Sequence, residues 1–217
     1  MTNGKIPVRV ELGRFNVNDQ CNTSSLVYVP ELLVLHGIGR VWVLGDEPAT
    51  FVTELSDKCL RQTYRNALLV LRFAHRVDRH RLPGFQLAQK YWWSSHPNVQ
   101  WVRADLANYL WMAAVVQSAS REYKYRYAQQ LDDGHSRYLT PPNGIPSHFT
   151  TATVPPIFVP DEYQIQPSVI HFRSWQNCVK SFREYYLWEM FNPVSHWTAR
   201  QVPPWVLDHM KRLGDMS

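Results

Sequence analysis

"SSHPNVQWVRADLANYLWMAAVVQSASREYKYRYAQQ", residues 94–130, decides how this chain folds. Trp101, Asp105, Tyr109, Met112, Val116, Ser120, Tyr123 and Tyr127 recur every three or four positions, the spacing of one face of an α-helix. Ser95 or His96 supplies a cap ahead of Pro97, and proline suits a first helical turn because its missing N–H has no intrahelical partner there. The spacing predicts one long helix with Asp105 as the polar exception on its stripe.

The last turns of that helix, "SREYKYRY" at 120–127, carry the densest chemistry in the chain. At helical spacing Tyr123 and Tyr127 point toward the core. Glu122 and Arg126 pair at i, i+4 on another face, with Arg121 and Tyr125 together beside them. One reading is a surface ion pair worth a few tenths of a kcal/mol. The other makes Arg126 a fork for an anion or phosphate, held in place by Glu122, so that Arg126→Ala weakens ligand binding more than stability.

Further helices lie on either side. Pro48, with Asp46 or Glu47 complementing the helix's positive end, opens a run in which Leu55, Cys59, Tyr64, Ala67, Leu71 and Ala74 keep helical spacing until "LPG" at 82–84. Phe172, Trp175, Val179, Phe182 and Tyr186 form another, ended by Pro193, and "RQVPPWVLDHMKRLG" closes with a short helix. Before residue 45 the pattern is different. "VRVEL", "SLVYV", "ELLVL" and "VWVLG" read as short strands separated by turn formers. The expected fold is mainly α with a small N-terminal β element (α+β), a compact bundle of three or more long helices. The expected layout is a β-rich extension over 1–45, a helical core over 46–206 and a tail over 207–217. A proline-rich wrapping segment at 140–167 lies within the core, where Ile157, Phe158 and Tyr163 need cover.

Composition narrows the function. The 217 residues suffice for a full core, and 45% hydrophobic with 19% charged is globular. No apolar run is long enough to cross a bilayer, and the start lacks a signal-like apolar core, so a soluble intracellular protein with no membrane partner is expected. Cys21, Cys59 and Cys178 have no CxxC spacing and read as reduced, buried thiols. The histidines match no metal motif and "HGIGR" is a lone GxG, so neither metal nor cofactor is assigned. The formal charge of +5 admits an anionic partner. Nine tryptophans and eleven tyrosines serve as core or as base-stacking groups; composition does not separate the two.

Several motifs occur together in order: "VWVLGDEPATFVTELSDKCLRQTYR", His96-Pro97, Trp101, Asn108-Tyr109, Trp111, "EYKYRY", "TPP", "PDEY", "FREYY" and "VPPW". This series resembles a family of small, uncharacterised, mostly phage-encoded helical proteins with the pattern "DKHVVKMILE … HP…W…NY.W…EYTYRY … TPPP…PDEY". The likeness spans about residues 41–206. "LSDKCLRQTYR" is also similar to the helix of T-even phage pyrimidine-dimer DNA glycosylases that bears their catalytic glutamate. Those enzymes attack the sugar with an N-terminal amine.

The resemblance implies a nucleic-acid-associated protein of a DNA repair or modification lineage. Against its patterns, however, Cys59, Gln62 and Asn66 replace a histidine, a lysine and a glutamate, and Thr63 stands where the glycosylase glutamate would be. Loss of these titratable groups predicts a catalytically degenerate scaffold that acts by binding. The implied binding residues are Lys58, Arg61, Arg65, Arg72, His96, Asn108, Trp111, Tyr125 and Arg126. If catalysis survives, Glu122 is the acid or base and Lys58 or the Thr2 amine the nucleophile. The alternative is a non-enzymatic structural or interaction protein, of a virion or a host-directed complex, whose contact surfaces are 1–45 and 140–167. The binding reading requires Lys58, His96, Asn108, Glu122 and Arg126 to converge on one hollow.

Overall fold

The computed structural model describes residues 41–76, 96–129, 134–156, 174–190 and 195–214. Six α-helices and one 3-10 turn occur among them, and no strand. The helices are α1 (Pro48–Glu54), α2 (Asp57–Arg76), α3 (Pro97–Ala104), α4 (Leu106–Tyr127), α5 (Trp175–Met190) and α6 (Pro204–Gly214); the 3-10 turn is His135–Tyr138. None is long and apolar enough to cross a membrane.

The first three expected strands, Cys21, Ile157, Phe158 and Tyr163 lie outside the described residues. "VWVLG" at 41–45 lies inside them and is irregular instead of a strand. It is nonetheless deep in the core, with Trp42 and Leu44 fully buried. Two of its backbone groups meet side chains: Trp42 N–H donates to Thr63 Oγ1 at 3.4 Å, and Arg183 Nε donates to the Leu44 carbonyl at 3.1 Å. The Trp42 ring meets α5 on three sides, stacking on Tyr185 and meeting Phe182 and Tyr186 edge-on. β-branched richness therefore marked burial here, not pairing.

The expected single helix over the quoted stretch is two. Asp105 is extended (φ −157°, ψ 146°), ending α3 and capping α4 through Oδ1, which accepts from Ala107 N–H at 2.8 Å. The polar residue that broke the apolar stripe is thus the joint. His96 caps α3, its Nδ1 accepting from Asn98 N–H at 3.2 Å, with Pro97 in the first turn as expected. The run expected from Pro48 onward also divides, at Leu55–Ser56. Ser56 Oγ accepts from Cys59 N–H and restarts the chain as α2. α6 runs through to Gly214 and takes in most of the stretch expected as a tail.

α2 and α4 form the centre of the packing, with α1 and α3 against α4. The α2 face made by Cys59, Leu60, Thr63, Tyr64, Ala67, Leu68, Leu71 and Ala74 is buried. The described part of the proline-rich segment, 140–156, lies against the joint between α3 and α4. Leu106 N–H donates to the Pro146 carbonyl, and Asp105 Oδ2 accepts from the N–H groups of His148 and Phe149.

A cationic helix face and a buried ionic clasp as candidate functional site

The basic residues divide into two populations that differ in solvation. On α2, Lys58, Arg61 and Arg65 are exposed and Arg72 is half-buried. Their spacing places them on one strip, which at 1.5 Å per residue is about 20 Å long. α2 contains one acidic residue, Asp57, whose carboxylate is turned to Arg126 and Thr198. Beyond Arg72 the strip meets the 3-10 turn. Arg72 and Arg137 both lie over the Tyr138 ring, at 5.5 and 4.8 Å, and His75 meets the same ring edge-on.

The second population is paired. Arg126, whose side chain is fully buried, donates through Nε to Glu122 Oε1 (2.7 Å), through Nη1 to Asp57 Oδ1 (2.9 Å) and through Nη2 to the Thr53 carbonyl (3.1 Å). Arg200 grips the same Glu122 with two parallel bonds, from Nε and Nη2, at 2.9 and 2.8 Å. Asp57 also accepts from the Thr198 N–H and hydroxyl, and its own N–H donates to the His196 carbonyl. Trp197 Nε1 donates to the Glu54 carbonyl and Trp205 Nε1 to Glu54 Oε2. Residues 196–205 are thereby clasped onto the α1–α2 junction and the last turns of α4.

This geometry corrects the expected octet. Glu122 and Arg126 do pair, but they are the buried members, whereas Tyr123 and Tyr127 are half-buried with their rings 4.6 Å apart. Burial on its own raises the Glu122 carboxyl; hydrogen bonds from Arg200 and Arg126, and their charge, outweigh it and hold the group below the usual range. Asp57 behaves alike, with burial opposed by Thr198, Arg126 and Tyr127. The Tyr127 hydroxyl is pushed up to about 12, first by burial and then by its bond to Asp57, while the nearby Arg61 charge pulls the other way. Glu122 is thus an ionised carboxylate with three donors on it, a poor general acid. Lys58 is exposed on the outer strip; Thr2 lies outside the described residues.

The remaining sequence candidates sit at the other end of α4. Asn108 donates to the Trp101 carbonyl (3.0 Å) and accepts from the Thr153 N–H (2.8 Å) and hydroxyl (3.1 Å). Trp111 donates to the Asp46 carbonyl at 2.7 Å and packs against Phe51, Trp101 and Trp175. His96 is fully buried. Asn108 and Glu122, both on α4, are separated by about 20 Å of helix, so the expected hollow joining Lys58, His96, Asn108, Glu122 and Arg126 does not form.

The residues that sequence reasoning missed are Thr198, Arg200 and Arg137. The first two lie in an irregular segment where no periodicity points at a partner, and Arg137 lies in a single 3-10 turn. Among the described residues no group of three His, Cys, Asp or Glu side chains is placed to hold a metal ion. Comparison with protein-family models, with curated proteins and with solved structures gives no match for this chain.

Proposed function

We propose that the protein is a nucleic-acid-binding member of a phage DNA repair or modification lineage that has lost catalysis. In this reading the outward face of α2 holds the phosphate backbone. One observation carries it: Lys58, Arg61 and Arg65 stand exposed on one strip of α2, with Arg72 half-buried beyond them, and the one carboxylate of that helix, Asp57, is engaged by Arg126 and Thr198. Such a strip attracts a polyanion and releases counterions when it binds one. Loss of catalysis in this reading is supported by Glu122, whose carboxyl, held below its usual range, already accepts three bonds from Arg126 and Arg200 and is a poor general acid.

The deciding experiment is a titration of labelled DNA at several salt concentrations. Four phosphate contacts give a slope of log K against log salt of about −3 to −4. Affinity insensitive to salt would discard the reading. Borohydride treatment of the protein with abasic-site DNA is expected to leave no covalent adduct, and a trapped adduct would restore an amine nucleophile.

A second reading, a structural or interaction protein, is favoured by a separate observation. Trp188, Leu207 and Met210 are exposed on α5 and α6, at 60%, 42% and 57%. Side chains of this kind suit a protein partner. An assembled mass in solution, together with weak DNA binding that does not depend on length, would favour it over the first.

A further inference from the structure

The outward half of the octet has a composition of its own. Glu122 and Arg126 turn inward, which leaves Arg121, Lys124 and Tyr125 exposed on the last turns of α4. Tyr125 is 58% exposed although the Arg200 guanidinium lies 4.2 Å above one face of its ring. That guanidinium is fixed by its two bonds to Glu122. Most of the exposure that remains therefore belongs to the ring's other face and edge. The result is a rigid aromatic plate backed by one cation and bordered by two more.

This plate is joined to the α2 strip. Tyr127, one turn from Tyr123 with the two rings tilted and 4.6 Å apart, is hydrogen-bonded to Asp57 at the start of α2. Going around α4 at about 100° per residue, Lys124 and then Arg121 separate Tyr127 from Tyr125. Cations thus continue from α2 across the end of α4 to Arg200, with tyrosines on both flanks. Among the described residues, the carboxylates at this end of α4, Glu122, Asp57 and Glu54, all accept from internal donors.

We infer that the ligand of this surface is single-stranded nucleic acid, with an unpaired base stacked on Tyr125 and its flanking phosphates on Arg121, Lys124 and the α2 strip. The inference rests on the nucleic-acid reading above and adds the strand state of the ligand. In a duplex the base faces are already stacked on one another and an external ring gains nothing from them. In a single strand they are open, and an aromatic–base stack is sequence-tolerant. A protein partner with an acidic surface is the competing occupant, and it would leave no preference between strand states.

The test measures binding of the full chain to a labelled mixed-sequence single strand and to its own duplex at one salt concentration. The single strand is expected to bind at least about tenfold more tightly. Tyr125→Ala should lower single-strand affinity by about tenfold while leaving duplex affinity unchanged, and Tyr125→Phe should keep the wild-type pattern. Equal affinities for both forms, indifferent to Tyr125→Ala, would overturn this inference while the α2 reading stands. Binding to neither form, or binding without salt dependence, would remove both together.

Discussion

Arg65 and Arg126 are the same side chain put to opposite uses. Arg65 stands in solvent on a helix whose one carboxylate is engaged elsewhere, while Arg126 is sealed beneath two carboxylates and a carbonyl. A guanidinium in water retains its capacity to meet a phosphate. One that is buried and saturated contributes to the fold and has little left to offer a ligand. The difference shows that the octet's density of charge was no guide to its role. What mattered was which of its residues faced inward.

Removing Arg126 tests this contrast most severely. Arg126→Met leaves Glu122 and Asp57 buried or half-buried without their shared partner, and a loss of about 3–5 kcal/mol is expected in denaturant unfolding. Nucleic-acid affinity per folded molecule should not change. Reduced affinity at unchanged stability would reverse the contrast and make Arg126 the anion fork that its spacing first suggested.

The corner at the far end of α4 comes next. Asn108→Leu removes the only side chain that joins the Trp101 carbonyl to Thr153 among the contacts described, stranding the Trp101 carbonyl and the Thr153 N–H and taking one acceptor from the Thr153 hydroxyl, which can rotate. The expected cost is about 2–6 kcal/mol, at about 1–3 for each of the two backbone groups left unsatisfied. Limited proteolysis should then cut within 140–156 well before α4 is attacked. Protection equal to wild type would mean that the prolines hold the segment without Asn108.

These two sites also show what could be read in advance. Helix spacing located α2, α4 and α5, and Pro48 and Pro97 marked boundaries correctly, because helical period and proline chemistry act locally, while Pro193 lies outside the described residues. The division at Asp105 could have been foreseen, since an aspartate on an apolar stripe is a better cap than a core residue. The Arg200–Glu122–Arg126–Asp57 chain could not. Its members lie as much as 143 positions apart, taking Asp57 to Arg200, and only the packing of 196–200 on the α1–α2 junction brings them together. "VWVLG" misled for a related reason: burial among α5 aromatics and pairing in a sheet select the same residue types.

Acid should loosen the clasp and spare the strip. Glu122, Asp57 and Asp105 all have folded-state carboxyls held below their usual range, so they bind fewer protons than in the unfolded chain. Their contribution is complete above about pH 5 and is lost as pH falls through the folded values, below about pH 4. Unfolding free energy followed by denaturation should therefore drop over that interval. Glu122→Gln should reduce the drop while lowering stability at neutral pH, because Arg126 and Arg200 lose a charged acceptor. A variant as acid-sensitive as wild type would shift the burden to Asp57 and Asp105.

The smallest structural effect is expected where the functional one is largest. Arg61→Ala combined with Arg65→Ala removes two solvated side chains whose backbones sit in the middle of α2, and alanine is at least as good a helix former as arginine. Stability should stay within about 0.5 kcal/mol of wild type. The slope of log K against log salt should fall in magnitude by about 2, one unit for each lost phosphate contact, and by a similar amount on every sequence tested. The measurement separates the two arginine populations because Arg126→Met predicts the converse, a large change in stability with an unchanged slope. A double variant that destabilises the protein would show that the strip is bound into the fold. A stable one with an unaltered slope would show that phosphate lies elsewhere, and the exposed cations of α2 would then serve solubility alone.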